Sequence, residues 1–216
     1  MSMLYTQNLN KNQLIIYEKL KAFNSDFVLA GGTSLMLQIN HRKSYDFDCF
    51  SEKPLNKSLL RKVKKVFGNS IHILIDNNSL LLFTTPQGVK VDLVYYPYKP
   101  LHQIIKNAPI SLFGFRDIAS NKAYTIGRRA TWRDYVDLFC LLKNNTVKIE
   151  NIIKDAKKRF GGEFSEKLFL EQLVYFNDLD IVPIEFINQS YEPSEIKQTL
   201  EMITQQYTKT SLFAIL

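Results

Sequence analysis

The sequence contains little cysteine, no long apolar run and fewer acidic than basic residues. Its 216 residues include two cysteines, Cys49 and Cys140, which lie far apart and beside apolar neighbours. That usage is typical of buried thiols in a reducing compartment and does not favour a disulfide framework. No apolar stretch approaches the roughly 18 residues of a membrane-spanning helix, and residues 1–10 lack the basic and apolar regions of a signal peptide. We therefore expect a cytoplasmic protein with no membrane partner.

The shortage of acidic residues leaves 28 Lys and Arg against 21 Asp and Glu, a formal net charge of +7. The excess forms two clusters: Lys53, Lys57, Arg61, Lys62, Lys64 and Lys65, and then Lys99, Lys106, Arg116, Lys122, Arg128, Arg129 and Arg133. Such clusters are typical of proteins that bind polyanions, because Lys and Arg neutralise phosphates and release counterions. A solvated helix face explains each cluster equally well, so the charge indicates a phosphate-rich partner only together with other features.

The order of predicted elements indicates a mixed first part and a helical second part. Strand-like runs at 71–75, 80–84 and 89–95 are separated by short turn sequences, which predicts an antiparallel meander. From Asp117 onward the pattern is helical. We predict an α+β protein, a mixed β-sheet with flanking helices followed by a C-terminal helical bundle, with domains at 1–115 and 116–216. The apolar segment 211–216 predicts either docking within the chain or an interface.

A glycine-rich turn separates a predicted buried strand from a short predicted helix that Thr33 caps. The turn reads Gly31-Gly32-Thr33-Ser34. Glycines let the backbone approach an anion closely, and the start of a helix offers unpaired N–H groups. The turn lacks the Lys of a P-loop and the third Gly of a dinucleotide fingerprint, so alone it only suggests phosphate binding.

Three aspartates point to a metal site. Asp46 and Asp48 lie two residues apart on a predicted strand, so their carboxylates share one face. Crowded carboxylates repel unless a cation lies between them, and oxygen ligands suit Mg²⁺ or Mn²⁺. The alternatives are an edge strand with an exposed polar face and a pair of solvated aspartates in a turn. Asp92 favours the metal site, because it points away from the apolar face of its own strand and can join the other two. Three such carboxylates can hold two divalent ions for in-line nucleotidyl transfer.

Two further carboxylates lie on a helix that is apolar around most of its circumference. Asp134 and Asp137 fall among Tyr, Val, Phe, Cys and Leu residues of the predicted helix 132–143. Because an isolated buried charge is very costly, both carboxylates require partners. Lys122, Arg128 and Arg133 are available. The pattern is compatible with an ion-pair network that joins two helices, with a functional site, or with both.

Together these segments resemble the nucleotidyltransferase (DNA polymerase β-like) superfamily, and more closely the AbiEii-type nucleotidyltransferase toxins of toxin–antitoxin and abortive-infection systems. The first matching segment is Gly31 to Leu35 with His41 to Asp48. The second is 117–123 with Arg128-Arg129 and 132–138. The matched segments lie between residues 28 and 142, and the region after residue 145 is not matched.

The resemblance implies a nucleotidyltransferase fold that uses NTP and Mg²⁺ or Mn²⁺, with RNA, particularly a tRNA end, as acceptor and an antitoxin as partner. By position it assigns Gly32, Thr33 and Ser34 to the triphosphate, Asp46 and Asp48 to the metal, Lys122 to phosphates, and Asp134 or Asp137 to catalytic or organising roles. We also predict that Gly31 and Arg42 bind the nucleotide and that Asp92 binds the metal, although the third carboxylate of the family varies in position. It also implies that the helical domain contributes to the active-site cleft. Phe47 and Cys49 depart from the aliphatic residues usual around the carboxylates, which affects packing rather than ligand chemistry.

Two alternatives remain open. The same chemistry can modify a small molecule or a protein side chain, although the basic charge argues against a cationic small molecule. A catalytically silent fold serving as a binding module is the second alternative. Separately, the run Tyr95-Tyr96-Pro97-Tyr98 is compatible with base stacking, or more simply with packing at the end of a strand.

Overall fold

The computed structural model describes residues 4–106 and 108–213, with side chains up to residue 210. The chain divides into two compact units, Met1–Phe115 and Arg116–Leu216. The side chains of the apolar segment 211–216 lie outside the described part. Among the described residues, no helix has both the length and the apolar character needed to cross a bilayer.

The first unit is a mixed five-stranded sheet with helices. Its elements, in chain order, are a 3₁₀ turn Thr6–Asn8, α1 Lys11–Lys19 continuing into a 3₁₀ turn Leu20–Phe23, β1 Val28–Ala30, α2 Gly31–Ile39, β2 Phe47–Ser51, α3 Leu59–Phe67, β3 His72–Asp76, β4 Leu80–Thr84 and β5 Lys90–Tyr95. The strand order is β1-β2-β5-β4-β3, in which only the pair β2 and β5 is parallel among the described strands. The predicted antiparallel meander of β3, β4 and β5 is confirmed.

One face of this sheet forms the core of the first unit. Phe47 and Cys49 of β2 are fully buried on it, as is Phe83 of β4. Helix α1 begins with a capping box between Asn10 and Gln13, and its Tyr17 ring stacks on Phe47 at 6.1 Å. Helix α3 buries Leu59, Val63 and Phe67, spaced four residues apart along one stripe, and exposes a basic stripe. Burial of each large apolar side chain stabilises the fold by roughly 1.5–3 kcal/mol. This burial keeps the apolar face of β2 and β5 against the helices, so the opposite face of the two strands points away from them.

Helix α2 begins three residues earlier than the sequence predicts. Its N-cap is Ala30, which offers no side-chain hydrogen bond, and Thr33 lies inside the first turn. The positive φ of Gly31, 65°, turns the chain directly from β1 into the helix. The Thr33 hydroxyl instead lies within hydrogen-bond distance of the Asp46 carbonyl and the Ser44 hydroxyl. The N-cap residue therefore provides no side-chain cap for the first N–H groups of α2.

The second unit is helical. It contains α4 Phe115–Arg129, α5 Trp132–Lys143, α6 Ile149–Phe160, α7 Glu166–Leu173 and α8 Pro193–Phe213, with a 3₁₀ turn Gly161–Glu163 after α6. Helix α5 is central, since ten of its residues are buried, from Trp132 to Leu142. Its Tyr135 hydroxyl donates to the Gln172 carbonyl at 2.7 Å, which ties α5 to α7. Burial raises the Tyr135 pKa to about 12, so this hydroxyl stays protonated and can donate even in mildly alkaline buffer.

Candidate functional site

The sheet register places two carboxylates side by side. Asp48 of β2 is the parallel partner of Asp92 on β5, and Ala30 is the antiparallel partner of Asp48 on its other side. Residues directly opposite in neighbouring strands project to the same face. Because Phe47 and Cys49 occupy the core face, Asp48 and Asp92 lie together on the other face, half-buried. We call the adjacent carboxylates of Asp48 and Asp92, with Ala30 next to Asp48, the carboxylate row.

The start of α2 lies against this row. A Cβ atom on Gly31 would lie 2.0 Å from Asp48 Oδ2 and 2.8 Å from Asp48 Cγ, so no larger residue fits while Asp48 keeps its position. The positive end of the α2 dipole and its uncapped N–H groups favour negative charge at this point. The glycine turn and the carboxylate row are thus parts of one local site in the first unit.

Asp46 occupies a different local setting. It is half-buried and precedes β2, which begins at Phe47, and its carbonyl accepts the Thr33 hydrogen bond. No three His, Cys, Asp or Glu side chains within 4–106 and 108–213 form a group that could hold a metal ion. The structure therefore brings Asp48 and Asp92 together, and it does not gather all three aspartates into one ligand set.

The electrostatics of the row suit a cation. The Cys49 pKa is raised well above its usual value, first by burial and then by the charges of Asp48 and Asp92. Lys90, two residues before Asp92 on β5, places its Nζ 3.4 Å from Asp92 Oδ2. The two carboxylate oxygen donors fit a hard divalent ion. Lys90 is not among the residues predicted from the sequence, although its spacing from Asp92 on a strand is a signal that they share a face.

The other residues predicted to bind the triphosphate surround the start of α2. Ser34 is fully buried, with its hydroxyl donating to the Phe113 carbonyl at 3.3 Å, and Thr33 is buried as well. Arg42 is buried and donates to the Lys43 carbonyl at 2.9 Å. Its Nη2 would lie 2.9 Å from a Cβ on Gly32. The observed hydrogen bonds of Thr33 and Ser34 position the turn, and Arg42 brings a positive charge against Gly32.

A buried ion-pair cluster lies within the second unit. Lys122 Nζ of α4 lies 2.6 Å from Asp134 Oδ1 and 2.8 Å from Asp137 Oδ2, both on α5. The Asp137 side chain is fully buried. Asp134 Oδ2 also accepts hydrogen bonds from the Thr131 N–H and hydroxyl. The interpretation as a network joining two helices is therefore observed, with Lys122 as its cation. Arg128 instead lies 3.5 Å from Glu163, and Arg133 is exposed.

A second set of ion pairs in this unit was not predicted from the sequence. Arg159 of α6 donates to the Asp117 carbonyl at 2.8 Å, and its Nη1 lies 3.7 Å from Asp117 Oδ1, with both side chains buried. Arg116 of α4 donates from Nε and Nη2 to Asp155 Oδ2 of α6. These pairs connect α4 to α6. In the sequence, Arg159 looks like one of several cations on α6, so it gave no signal of this pairing.

The close approach of Gly31 to Asp48 yields a stability prediction. Gly31→Ala places a residue at positive φ, which costs ~1–2 kcal/mol, and adds steric overlap with Asp48, roughly 1–3 kcal/mol more. Gly88→Ala is the matched control, because Gly88 has a φ of 76° and a Cβ added there would meet no atom within 4 Å. Urea denaturation is expected to show a clearly larger loss for Gly31→Ala. Adding Asp48→Ala should restore part of that loss, whereas equal losses for the two glycine variants contradict the contact.

Comparison with known proteins extends over nearly the whole chain. The family profile described as "Nucleotidyl transferase AbiEii toxin, Type IV TA system" matches residues 15–209. An uncharacterized protein of Aquifex aeolicus (strain VF5) is 31% identical over 209 residues, covering 90% of this chain and 99% of the relative. The region after residue 145, which the sequence motifs left unmatched, is thus included in the family match.

Two solved structures share the fold. JHP933 from Helicobacter pylori has a TM-score of 0.59 at 23% identity, covering 98% of this chain and 99% of that one. A second H. pylori protein, described as a candidate nucleotidyltransferase, has a TM-score of 0.56 at 21% identity, covering 94% and 97% of the two chains. The predicted fold, a mixed sheet with flanking helices and a helical C-terminal region, is confirmed. The chain belongs to the AbiEii nucleotidyltransferase toxin family of type IV toxin–antitoxin systems.

Proposed function

We propose that the protein is a divalent-metal-dependent enzyme that transfers a nucleotide from an NTP to the end of an RNA. One observation carries this proposal: Asp48 is the register partner of Asp92 and lies against Gly31 at the uncapped start of α2. Carboxylates beside a helix N-terminus combine cation and phosphate binding in one place. Nucleotidyl transfer requires that combination, because its substrate is a metal-bound triphosphate.

We propose a separate role for each site residue of the first unit. Asp48 and Asp92 would hold the metal, and the bound Mg²⁺ would neutralise charge on the phosphates. Asp46, which precedes β2, stays a predicted third ligand. The N–H groups at Gly31 and Gly32 would donate to phosphate oxygens. The lack of a side chain at these two positions lets Asp48 and Arg42 lie against the start of α2. Arg42 would add a positive charge next to Gly32.

The roles that the resemblance assigns to Lys122, Asp134 and Asp137 stay predictions. Their hydrogen bonds and burial already explain why these residue types occur in the second unit. We propose that Lys122 also contributes to phosphate binding. A charge-balanced pair of substitutions at Lys122 and Asp137 can separate that contribution from the structural role.

RNA is the acceptor that the charge distribution favours. The chain carries a net charge of +7, and Lys57, Arg61, Lys64 and Lys65 are exposed along or beside α3. Such a surface attracts a polyanion and repels a cationic small molecule. We further propose a tRNA end as the specific acceptor, a cognate antitoxin as the protein partner, and the cytoplasm as the place where these reactants meet.

Transfer of label from each α-³²P-NTP, with Mg²⁺ and total tRNA, tests the proposal. We expect one or two NTPs to label RNA, and the label to disappear when EDTA removes the metal. Mass spectrometry of parallel reactions with cell extract distinguishes a protein or small-molecule acceptor from RNA. If only a protein or a metabolite is labelled, that molecule and not RNA is the acceptor. Absence of transfer to any class of acceptor would contradict enzymatic function.

A further inference from the structure

Two adjoining cavities form a groove at one end of the sheet in the first unit. The first has a volume of about 220 Å³ and includes Phe50 and Tyr96 in its lining. The second has a volume of about 210 Å³ and is lined by the loop before α3 and by Lys62. Asp26, Phe27, Ser51 and Lys53 line both cavities. We call the two together the β2-end groove.

The aromatic wall of this groove lies next to the carboxylate row. Phe50 follows Asp48 by two residues on β2, and its register partners are Val28 and Val94. Phe50 therefore projects to the same face as Asp48, about 7 Å further along the strand. Its ring stacks on Tyr96 with centroids 4.4 Å apart, and both rings are partly exposed. A flat aromatic surface thus begins one residue row beyond the proposed site of chemistry.

The charges of the groove are unevenly distributed. Glu52 lines the aromatic cavity, whereas Lys62 lines the second cavity, and Asp26 and Lys53 border both. A hydrogen bond from Ser25, with the nearby lysine charges, lowers the Asp26 pKa, which keeps this carboxylate ionised. Carboxylates accept hydrogen bonds from base amino groups, and lysines bind phosphates. Beyond Lys62 the exposed cations of α3 continue the positive surface. This polarity matches a nucleotide with its base in the aromatic cavity.

We propose that the β2-end groove binds a nucleotide near the 3′ end of the acceptor RNA, with its base against Tyr96 and its phosphate beside Lys53 and Lys62. The terminal hydroxyl would then reach Asp48. This proposal rests on the proposed function, and it assigns to Tyr96 and the basic end of the groove a role in holding the acceptor. Aromatic stacking of this kind accepts any base, so the groove would position the RNA strand rather than read its sequence.

Kinetics with two groove variants and two matched controls test the site. Tyr96→Leu is expected to raise the KM for RNA by ~5- to 150-fold, the range for loss of one base stack, with little change in the KM for NTP. Lys53→Glu should make the slope of the logarithm of the RNA binding constant against the logarithm of salt concentration shallower by about one unit. The controls are Tyr5→Leu, a half-buried tyrosine outside the groove, and Lys11→Glu, an exposed lysine in α1. Wild-type KM and salt slope in both folded groove variants would overturn the proposal.

Crosslinking of the unaltered protein gives a second result that does not depend on a variant folding. RNA oligonucleotides carrying 4-thiouridine one, two or three positions before the 3′ end are irradiated with the protein, and adducts are mapped by mass spectrometry. When 4-thiouridine lies one or two positions before the 3′ end, we expect adducts on the peptide that includes Tyr96 or Phe50. Adducts confined to other segments would overturn the groove assignment. If transfer is observed and these adducts are not, the groove proposal fails while the proposed function stands; if no acceptor is labelled, the proposed function itself fails.

Discussion

Asp48→Asn is expected to abolish nucleotide transfer in a protein that still folds. The substitution keeps the shape of the side chain and its fit against Gly31, but removes a negative charge from the carboxylate row. A bound metal ion contributes several kcal/mol of transition-state stabilisation, so loss of its ligand should lower the rate by about a thousand-fold. Initial rates of label transfer at saturating NTP and Mg²⁺ measure the effect.

The same variant should not lose stability in metal-free buffer. Like charges directly opposite each other in a sheet are destabilising, and Asp48 faces Asp92 in register. Relief of that repulsion offsets the loss of the favourable interaction between the Asp48 charge and the start of α2. Urea denaturation in EDTA is therefore expected to give a nearly unchanged midpoint for Asp48→Asn. Asp76→Asn is the matched control, because Asp76 is an exposed aspartate at the end of β3 in the same sheet. A folded Asp48→Asn protein that transfers label as fast as Asp76→Asn would show that the carboxylate row is not catalytic.

Lys122→Met is expected to destabilise the second unit by ~3–5 kcal/mol, the usual cost of leaving a buried carboxylate without its cation. Asp137 is fully buried, so its charge loses this partner without gaining water. Asp134 is affected less, because Thr131 still donates to it. Urea or thermal denaturation followed by circular dichroism measures the loss, and Lys167→Met in the exposed Lys167–Glu171 pair is the control, expected to cost under about 1 kcal/mol.

A charge-balanced double variant separates stability from function at Lys122. Lys122→Met with Asp137→Asn removes the lysine together with the fully buried carboxylate, and Thr131 still donates to Asp134, so most of the lost stability should return. If Lys122 also binds phosphate, transfer should stay low in this stable protein and the KM for NTP should rise. Recovery of both stability and transfer would assign Lys122 a structural role alone.

Sequence patterns predicted the elements whose structure depends on residues close to one another in the chain. The meander from β3 to β5 follows from two short turns, and the stripe of Leu59, Val63 and Phe67 follows from helical periodicity. Alternation along β5 also indicated that Asp92 points away from the apolar face. Its position beside Asp48 could not be derived in the same way, because the parallel pairing of β2 with β5 joins segments more than forty residues apart. Register of that kind is set by packing of the whole sheet.

The start of α2 and the buried arginine of α6 were missed for related reasons. Thr33 is a good capping residue, but the positive φ of Gly31 starts the helix earlier and directs the hydroxyl to the loop at Ser44. Arg159 looks like one of several cations on α6, and only the packing of α6 on α4 shows that it is buried against Asp117. Tertiary contacts overrode a local preference in the first case and created a partner in the second.

Isothermal titration of NTP into the protein, with and without Mg²⁺, tests most directly whether the carboxylate row and the start of α2 form the metal and phosphate site. We predict saturable heat for at least one NTP with Mg²⁺ in the wild-type protein and in Asp76→Asn. The same titration should give at least ~10-fold weaker binding in Asp48→Asn and in Asp92→Asn, since metal ligands set the affinity for a metal-bound triphosphate. Binding of equal strength in all four folded proteins would contradict the site.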